Sequence, residues 1–200
     1  MMRVALIDGG GANLGSVLYA LGRLGIAAEL TTDAAAIAAA ERVILPGVGA
    51  AAQVMARLRE LDLIDTLRAL DKPLLGVCVG MQVLFEHSEE DDTPCLGLLP
   101  GQVEKLRPCA GIRVPHMGWN SLQPLRACSL LDGIAAGDQA YFVHSYAAQV
   151  GPDCIASSEH GRPLAAIVQR GRVAGAQFHP ERSAATGARL LRNFIEQGLA

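Results

Sequence analysis

Pro73-Leu74-Leu75-Gly76-Val77-Cys78-Val79-Gly80-Met81-Gln82 is the stretch on which the reading of this chain turns. It is apolar up to a cysteine that has a glycine two positions away on each side. Such a segment reads as a buried strand, a sharp turn and the start of a helix. Small flanking residues let the backbone take a strained turn at the end of the strand, so Cys78 is expected to stand exposed above a sheet. A helix beginning near Val79 would aim unsatisfied N–H groups and a partial positive charge at the sulfur, which favours a reactive thiolate. A cysteine after an apolar run is more often simply a small buried residue. The functional reading therefore depends on partners elsewhere in the chain.

Upstream, residues 3–8 read as a buried strand, followed by Gly9-Gly10-Gly11-Ala12 and by Leu14, Val17, Leu18, Leu21 and Leu24 at helical spacing, with Gly25 as the stop. The glycines invite a dinucleotide reading, but the fingerprint G-x-G-x-x-G fails because Leu14 stands where its third glycine belongs. Residues 26–31 form a second expected strand. Asp33 is placed to cap an alanine-rich helix over 34–40, and residues 42–45 make a third strand that ends in Pro46-Gly47-Val48-Gly49. Two glycines around Val48 leave a backbone that can turn a peptide N–H toward developing negative charge; an ordinary tight turn would look the same. Val54, Leu58, Leu61, Ile64 and Leu67 imply one helix or two short ones over 51–70. Strand and helix thus alternate up to about residue 90, which demands a parallel sheet with right-handed crossovers. Ligands in such sheets bind beyond the carboxyl ends of the strands, which places Gly47 to Gly49 and Cys78 on one edge.

Downstream, the charged residues 86–92 read as a solvated loop. Residues 96–101 and 111–118 are rich in glycine and proline, with 103–106 and 112–114 as short antiparallel strands. Pro115-His116-Met117-Gly118-Trp119-Asn120 is expected to be a loop, and its composition suggests that it does something. Tyr141-Phe142-Val143-His144-Ser145-Tyr146 alternates as a strand that carries His144, and residues 155–157, 164–169 and 173–177 complete a half rich in hairpins. The last strand runs into Phe178-His179-Pro180-Glu181, and residues 182–197 form an amphipathic helix with Leu190, Leu191, Phe194 and Ile195 inward. No linker or repeat divides residues 1–200, which are expected to make a single domain.

Composition excludes several classes of function. With 17 basic against 20 acidic residues and no basic block, neither nucleic acid nor an anionic membrane is an expected partner. Residues 4–7 are too short an apolar run for a signal peptide or a membrane span, so a cytoplasmic location is expected. The five cysteines, Cys78, Cys95, Cys109, Cys128 and Cys154, include no C-x-x-C pair, so neither a disulfide framework nor a thiolate metal site is indicated. No cofactor is expected.

A cysteine nucleophile needs a base, and the base needs an acceptor for its other nitrogen. His179 and Glu181 offer that pair, since the proline between them ends the strand and lets two side chains on an extended backbone project to one side. Alone, His-Pro-Glu would be a solvated turn. Paired with an elbow cysteine at the end of another strand, it makes a candidate catalytic triad. The backbone N–H of Val79 and one from Gly47-Val48-Gly49 would then meet an oxyanion.

Gly-Val-Cys-Val-Gly-Met-Gln with Phe-His-Pro-Glu far downstream resembles the class I glutamine amidotransferases, in which a Cys-His-Glu triad hydrolyses glutamine through a thioester and releases ammonia. Pro-Gly-Val-Gly at 46–49, Pro-His-Met-Gly-Trp-Asn at 115–120 and Tyr-Phe-Val-His-Ser-Tyr at 141–146 resemble the members that supply ammonia in histidine biosynthesis. The likeness covers essentially the whole chain. It implies a flavodoxin-like α/β fold, a mostly parallel sheet with helices on both faces and extra antiparallel strands in the C-terminal half. It makes Cys78, His179 and Glu181 the triad and Gly47 to Gly49 the oxyanion strand. Gln82 and Glu90 would hold the amide and ammonium ends of glutamine, beside His144, Ser145 and Tyr146. Asn13, Trp119, Asn120, Tyr141 and Arg182 would face a (β/α)8-barrel cyclase subunit, whose binding of its substrate would release an inactive oxyanion strand. Val79 and Gly9 depart from the family pattern, standing where leucine and an aromatic residue are usual. Two other readings keep the same residues: the amidotransferase subunit of another synthase, or a flavodoxin-like module that uses Cys78 as a redox-sensing thiol.

Overall fold

A computed structural model describes residues 2–10, 13–109 and 111–199. Gly11 and Ala12 of the first glycine turn lie outside the described residues. The first half alternates as β1 (Val4–Ile7), α1 (Leu14–Arg23), β2 (Ala28–Thr31), α2 (Ala34–Ala39), β3 (Arg42–Gly47), α3 (Ala51–Glu60), α4 (Leu63–Arg68), β4 (Leu74–Cys78) and α5 (Val79–Gln82). Strands β1 and β4 are buried along their whole length and β3 from Val43 onward, as expected for strands covered by helices on both faces. Asp33 caps α2, its Oδ1 accepting the Ala35 N–H at 2.9 Å.

The second half is mostly strand: β5 (His87–Ser88), β6 (Thr93–Pro94), β7 (Gln102–Lys105), β8 (His116–Ser121), β9 (Gln123–Pro124), β10 (Gln139–His144), β11 (Tyr146–Ala148), β12 (Cys154–Glu159), β13 (Pro163–Arg170) and β14 (Val173–Ala176), closed by α6 (Ala184–Gln197). The main sheet has eight strands in the order β2-β1-β3-β4-β14-β13-β12-β9. It is parallel from β2 to β14 and antiparallel beyond. The polypeptide thus returns from its hairpins to lay β14 beside β4, and the segment leaving β14 reaches the edge where Cys78 ends its strand. Leu190, Leu191 and Phe194 of α6 are buried in the hydrophobic core. Among the described residues, no helix is long and apolar enough to cross a membrane.

Three short segments differ from expectation. The charged run 86–92, read as a solvated loop, carries strand β5, paired with β7 and burying Ser88, and a 3-10 turn over Glu90–Asp92. Residues 112–114 form no strand; only an isolated bridge joins Cys109 to Ile112. Residues 116–121, read as a loop, are strand β8, paired antiparallel with β10 so that His116 faces His144 and Trp119 faces Tyr141. The alternation is real but inverted in polarity: His116 is buried, whereas Met117 and Trp119 are 64% and 53% exposed. A hydropathy pattern read in the usual sense cannot find such a strand.

Candidate active site

The site begins at the junction of β4 and α5. Cys78 takes φ 55° and ψ −114°, a left-handed conformation that costs a non-glycine residue about 1–3 kcal/mol and persists only where the surroundings impose it. The two flanking glycines do not adopt this turn themselves; their role is close packing. A Cβ on Gly80 would lie 1.9 Å from the Leu45 carbonyl oxygen, and one on Gly76 would lie 2.5 Å from the Gly80 oxygen. Gly47 is equally tight, its Cβ position 2.4 Å from the Gly80 nitrogen. Together they let α5 sit directly on β3 and β4. Cys78 itself is only 4% exposed, not raised clear of the sheet, and its Sγ lies 4.0 Å from the Val143 carbonyl oxygen at the end of β10. Its access is through a cavity rather than the open surface.

His179 follows β14 and is anchored by its backbone N–H to the Tyr141 carbonyl at 3.0 Å. Its Nδ1 meets Glu181 Oε1 at 2.8 Å, and both side chains are almost fully buried. Glu181 lies in a 3-10 turn over Pro180–Arg182, so the pair is brought together by a turn and not by an extended backbone. Burial opposes charge on His179, but hydrogen bonds to Cys78 and Glu181, and the negative charge of both, outweigh it and lift its pKa to about 10. The imidazole is therefore protonated at neutral pH, with Nδ1–H held by Glu181. Asn13, at the start of α1, donates its Nδ2–H to the same Glu181 oxygen.

A cavity of about 460 Å³ opens over Cys78. Val48, Gly49 and Val79 line one side, and Val143, His144, Ser145 and Tyr146 another; Asn13, Gln82, Glu90, Pro115, His179 and Arg182 complete it. Gly47 does not reach the cavity; its place is under α5. Gly49 has φ 86°, which only glycine adopts without strain. The Gln82 Nε2 is already committed, donating to the Tyr146 carbonyl at 2.9 Å and to Gln177 Oε1 at 3.1 Å. Glu90 Oε2 accepts the Ala51 N–H at 2.8 Å, which fixes the carboxylate at the start of α3.

Of the residues expected on a partner-facing surface, Trp119 and Tyr141 pack edge to face at 5.9 Å between centroids, and the Arg182 guanidinium lies over the Tyr141 ring at 4.8 Å. Asn13 and Asn120 turn inward instead, Asn13 to Glu181 and Asn120 to His116 and the Glu159 carbonyl. Sequence reasoning assigned no role to Pro115 or Val143, which line the cavity, nor to His116, buried behind it. Once 116–121 is taken as a strand, its alternation shows that His116 shares a face with Asn120.

An elbow cysteine, a buried histidine and carboxylate, and a cavity flanked by the glycine-bearing end of β3 thus lie together at one edge of the sheet. The family model for glutamine amidotransferase class-I matches residues 5–197, and the chain belongs to that family. It is 61% identical to the imidazole glycerol phosphate synthase subunit HisH of Xanthomonas euvesicatoria pv. vesicatoria, over 98% of each chain. Against the same subunit of Xylella fastidiosa strain Temecula1 it is 60% identical over the full length of both. A solved structure described as a glutamine amidotransferase has the same fold, with a TM-score of 0.74 at 24% identity over 96% of this chain and 97% of that one.

Proposed function

We propose that this chain is the glutaminase subunit of an imidazole glycerol phosphate synthase and that Cys78, His179 and Glu181 carry out its chemistry. The observation that carries the reading is the geometry at the sheet edge, where Cys78 in its left-handed turn shares a cavity with a histidine held at 2.8 Å by a buried glutamate. The sulfur attacks the side-chain carboxamide carbon of glutamine, and the carbonyl oxygen becomes an oxyanion. Backbone N–H groups of Val79 and of the Val48–Gly49 segment, which line the same cavity, would receive it. His179 already carries the proton that the leaving nitrogen needs; it gives up that proton as the C–N bond breaks, releasing ammonia and leaving a thioester. Water then attacks with His179 as base, returning the thiolate and glutamate. Glu181 keeps Nδ1 protonated and the ring oriented throughout.

Ammonia passes to a cyclase subunit, a (β/α)8 barrel in a heterodimer, which converts the ribulosyl-phosphate intermediate PRFAR to imidazole glycerol phosphate and AICAR in the cytoplasm. Trp119, Tyr141 and Arg182, with Met117 beside them, form the face on which that subunit would dock. Glu90 and the wall at residues 144–146 would hold the amino-acid end of glutamine. The glycines on either side of Val48 allow its peptide to turn, so the isolated chain should release glutamate slowly and the complex with its cyclase ligand much faster. Glutamate release measured with and without the cyclase and its ligand tests this. Equal rates would refute the gating, and glutaminase turnover by Cys78→Ala would refute the mechanism.

A further inference from the structure

Behind the wall of the cavity, two buried histidines link the half-buried Asn120 to Tyr146. Asn120 Nδ2 donates to the Glu159 carbonyl at 2.7 Å and lies 3.0 Å from His116 Nε2. His116 Nδ1 lies 3.0 Å from His144 Nε2, and His144 Nδ1 lies 2.8 Å from the Tyr146 carbonyl. Both ends of this row are carbonyls, which only accept, so every proton in it is fixed. Glu159 holds the Asn120 amide with its NH2 toward His116. His116 must therefore accept on Nε2 and donate from Nδ1, and His144 must accept on Nε2 and donate from Nδ1 to Tyr146. A proton added to either ring would set two donors face to face. Burial also keeps both rings neutral, lowering His116 to about 3 and His144 to about 4. The His116 ring is clamped between Phe142 and His160, with centroids at 4.7 and 4.1 Å and planes within 19° and 18°. It has no freedom to seek another partner.

We propose that His116 is a positioning residue for the glutamine pocket, its Nδ1–H fixing His144 so that the Tyr146 carbonyl, and with it residues 144–146 of the wall, stay in place. The Tyr146 carbonyl accepts from both His144 Nδ1 and Gln82 Nε2, so one oxygen pins two sides of the cavity. The inference rests on the reading that this cavity takes glutamine. Because the row braces a wall and touches no reacting atom, its loss should weaken glutamine binding more than it slows the chemistry.

The test uses the complex with the cyclase subunit and two variants. His116→Phe keeps the stacked ring but removes the donor. His116→Asn gives up the stacked ring and the link to Asn120 but keeps an N–H where Nδ1 stood, the one group the proposal needs. His116→Phe should raise the glutamine KM about tenfold with kcat within about threefold, and His116→Asn should stay within about threefold of the parent in both. Equal behaviour of the two variants, or a fall in kcat at unchanged KM, would overturn the proposal. Nitrogen-15 spectra of the imidazoles in the unsubstituted protein test the row even where His116→Phe does not fold. Neutral rings protonated on Nδ1 at both His116 and His144 are expected at pH 7, and an Nε2-protonated or charged ring at either position would overturn it. If the unsubstituted complex released no glutamate from glutamine, the functional reading would fall, while the spectra would still decide the row.

Discussion

A methyl group added at Gly80 and one added at Gly22 meet opposite fates. At Gly80 the Cβ would come within 1.9 Å of a backbone oxygen of β3, with no flexible side chain to give way. Gly80→Ala must lift α5 off the sheet, so it should destabilise the protein by about 3 kcal/mol, at the upper end of overpacking costs, and remove glutaminase activity by displacing the Val79 N–H. Gly22 lies exposed in α1 with nothing within 4 Å of its Cβ position. Gly22→Ala should stabilise by about 0.5–1 kcal/mol. Urea unfolding of both variants checks the contrast, and similar effects would mean that α5 does not rest on β3 as described. The two glycines around Cys78 were visible in the sequence, but their role was not. Dihedral freedom is the usual reason for glycine in a turn, whereas here the strained dihedral belongs to the cysteine and the glycines serve contact.

Among the elements, those whose sequence matched one periodicity and one cap were readable in advance. Asp33 is such a signal; Asp33→Ala removes the only side-chain cap seen on α2 and should cost about 1 kcal/mol, measurable as a lower urea midpoint. The buried strands β1, β3 and β4 were legible because both faces are covered, which leaves an unbroken apolar run. Strand β8 was not, because its polar residues face in and its large apolar ones face out. A strand that buries His116 and displays Met117 and Trp119 obeys the demands of a pocket behind it and of a surface in front. The region at 112–114 failed for the opposite reason: Ile112 and Val114 have β-branched side chains, but among the described residues no neighbouring strand pairs with them beyond one bridge. The residues of the candidate triad were legible from motif and spacing, while the turn that joins His179 to Glu181 was not, since proline is compatible with an extended chain or a 3-10 turn.

Across the whole molecule, buried histidines shape how stability responds to pH. His116 and His144 are lowered to about 3 and 4, so below the ordinary histidine pKa of about 6.5 the unfolded chain binds protons that the folded chain refuses. Stability should fall as pH drops from about 6 to 4, by roughly 1.4 kcal/mol per pH unit for each ring, and His116→Asn should remove one such contribution from the slope. His179 works in the other direction. Raised to about 10, it contributes stability that is complete below about 6.5 and is lost as pH climbs toward 10. Cys95 and Cys154, pushed up to about 11 by burial, add to the alkaline loss because the unfolded chain gives up their protons first. Urea unfolding across this range should therefore show a maximum near neutrality, and stability that kept rising to pH 9 would contradict the buried, protonated His179. That protonated histidine also serves the central claim, that Cys78 releases ammonia from glutamine for use by a second subunit. The direct measurement is transfer of nitrogen from amide-15N-labelled glutamine into imidazole glycerol phosphate by the complex with the cyclase. The unsubstituted protein should give labelled product, and Cys78→Ala should give none while the complex still makes unlabelled product from added ammonia; labelled product from Cys78→Ala would contradict the account.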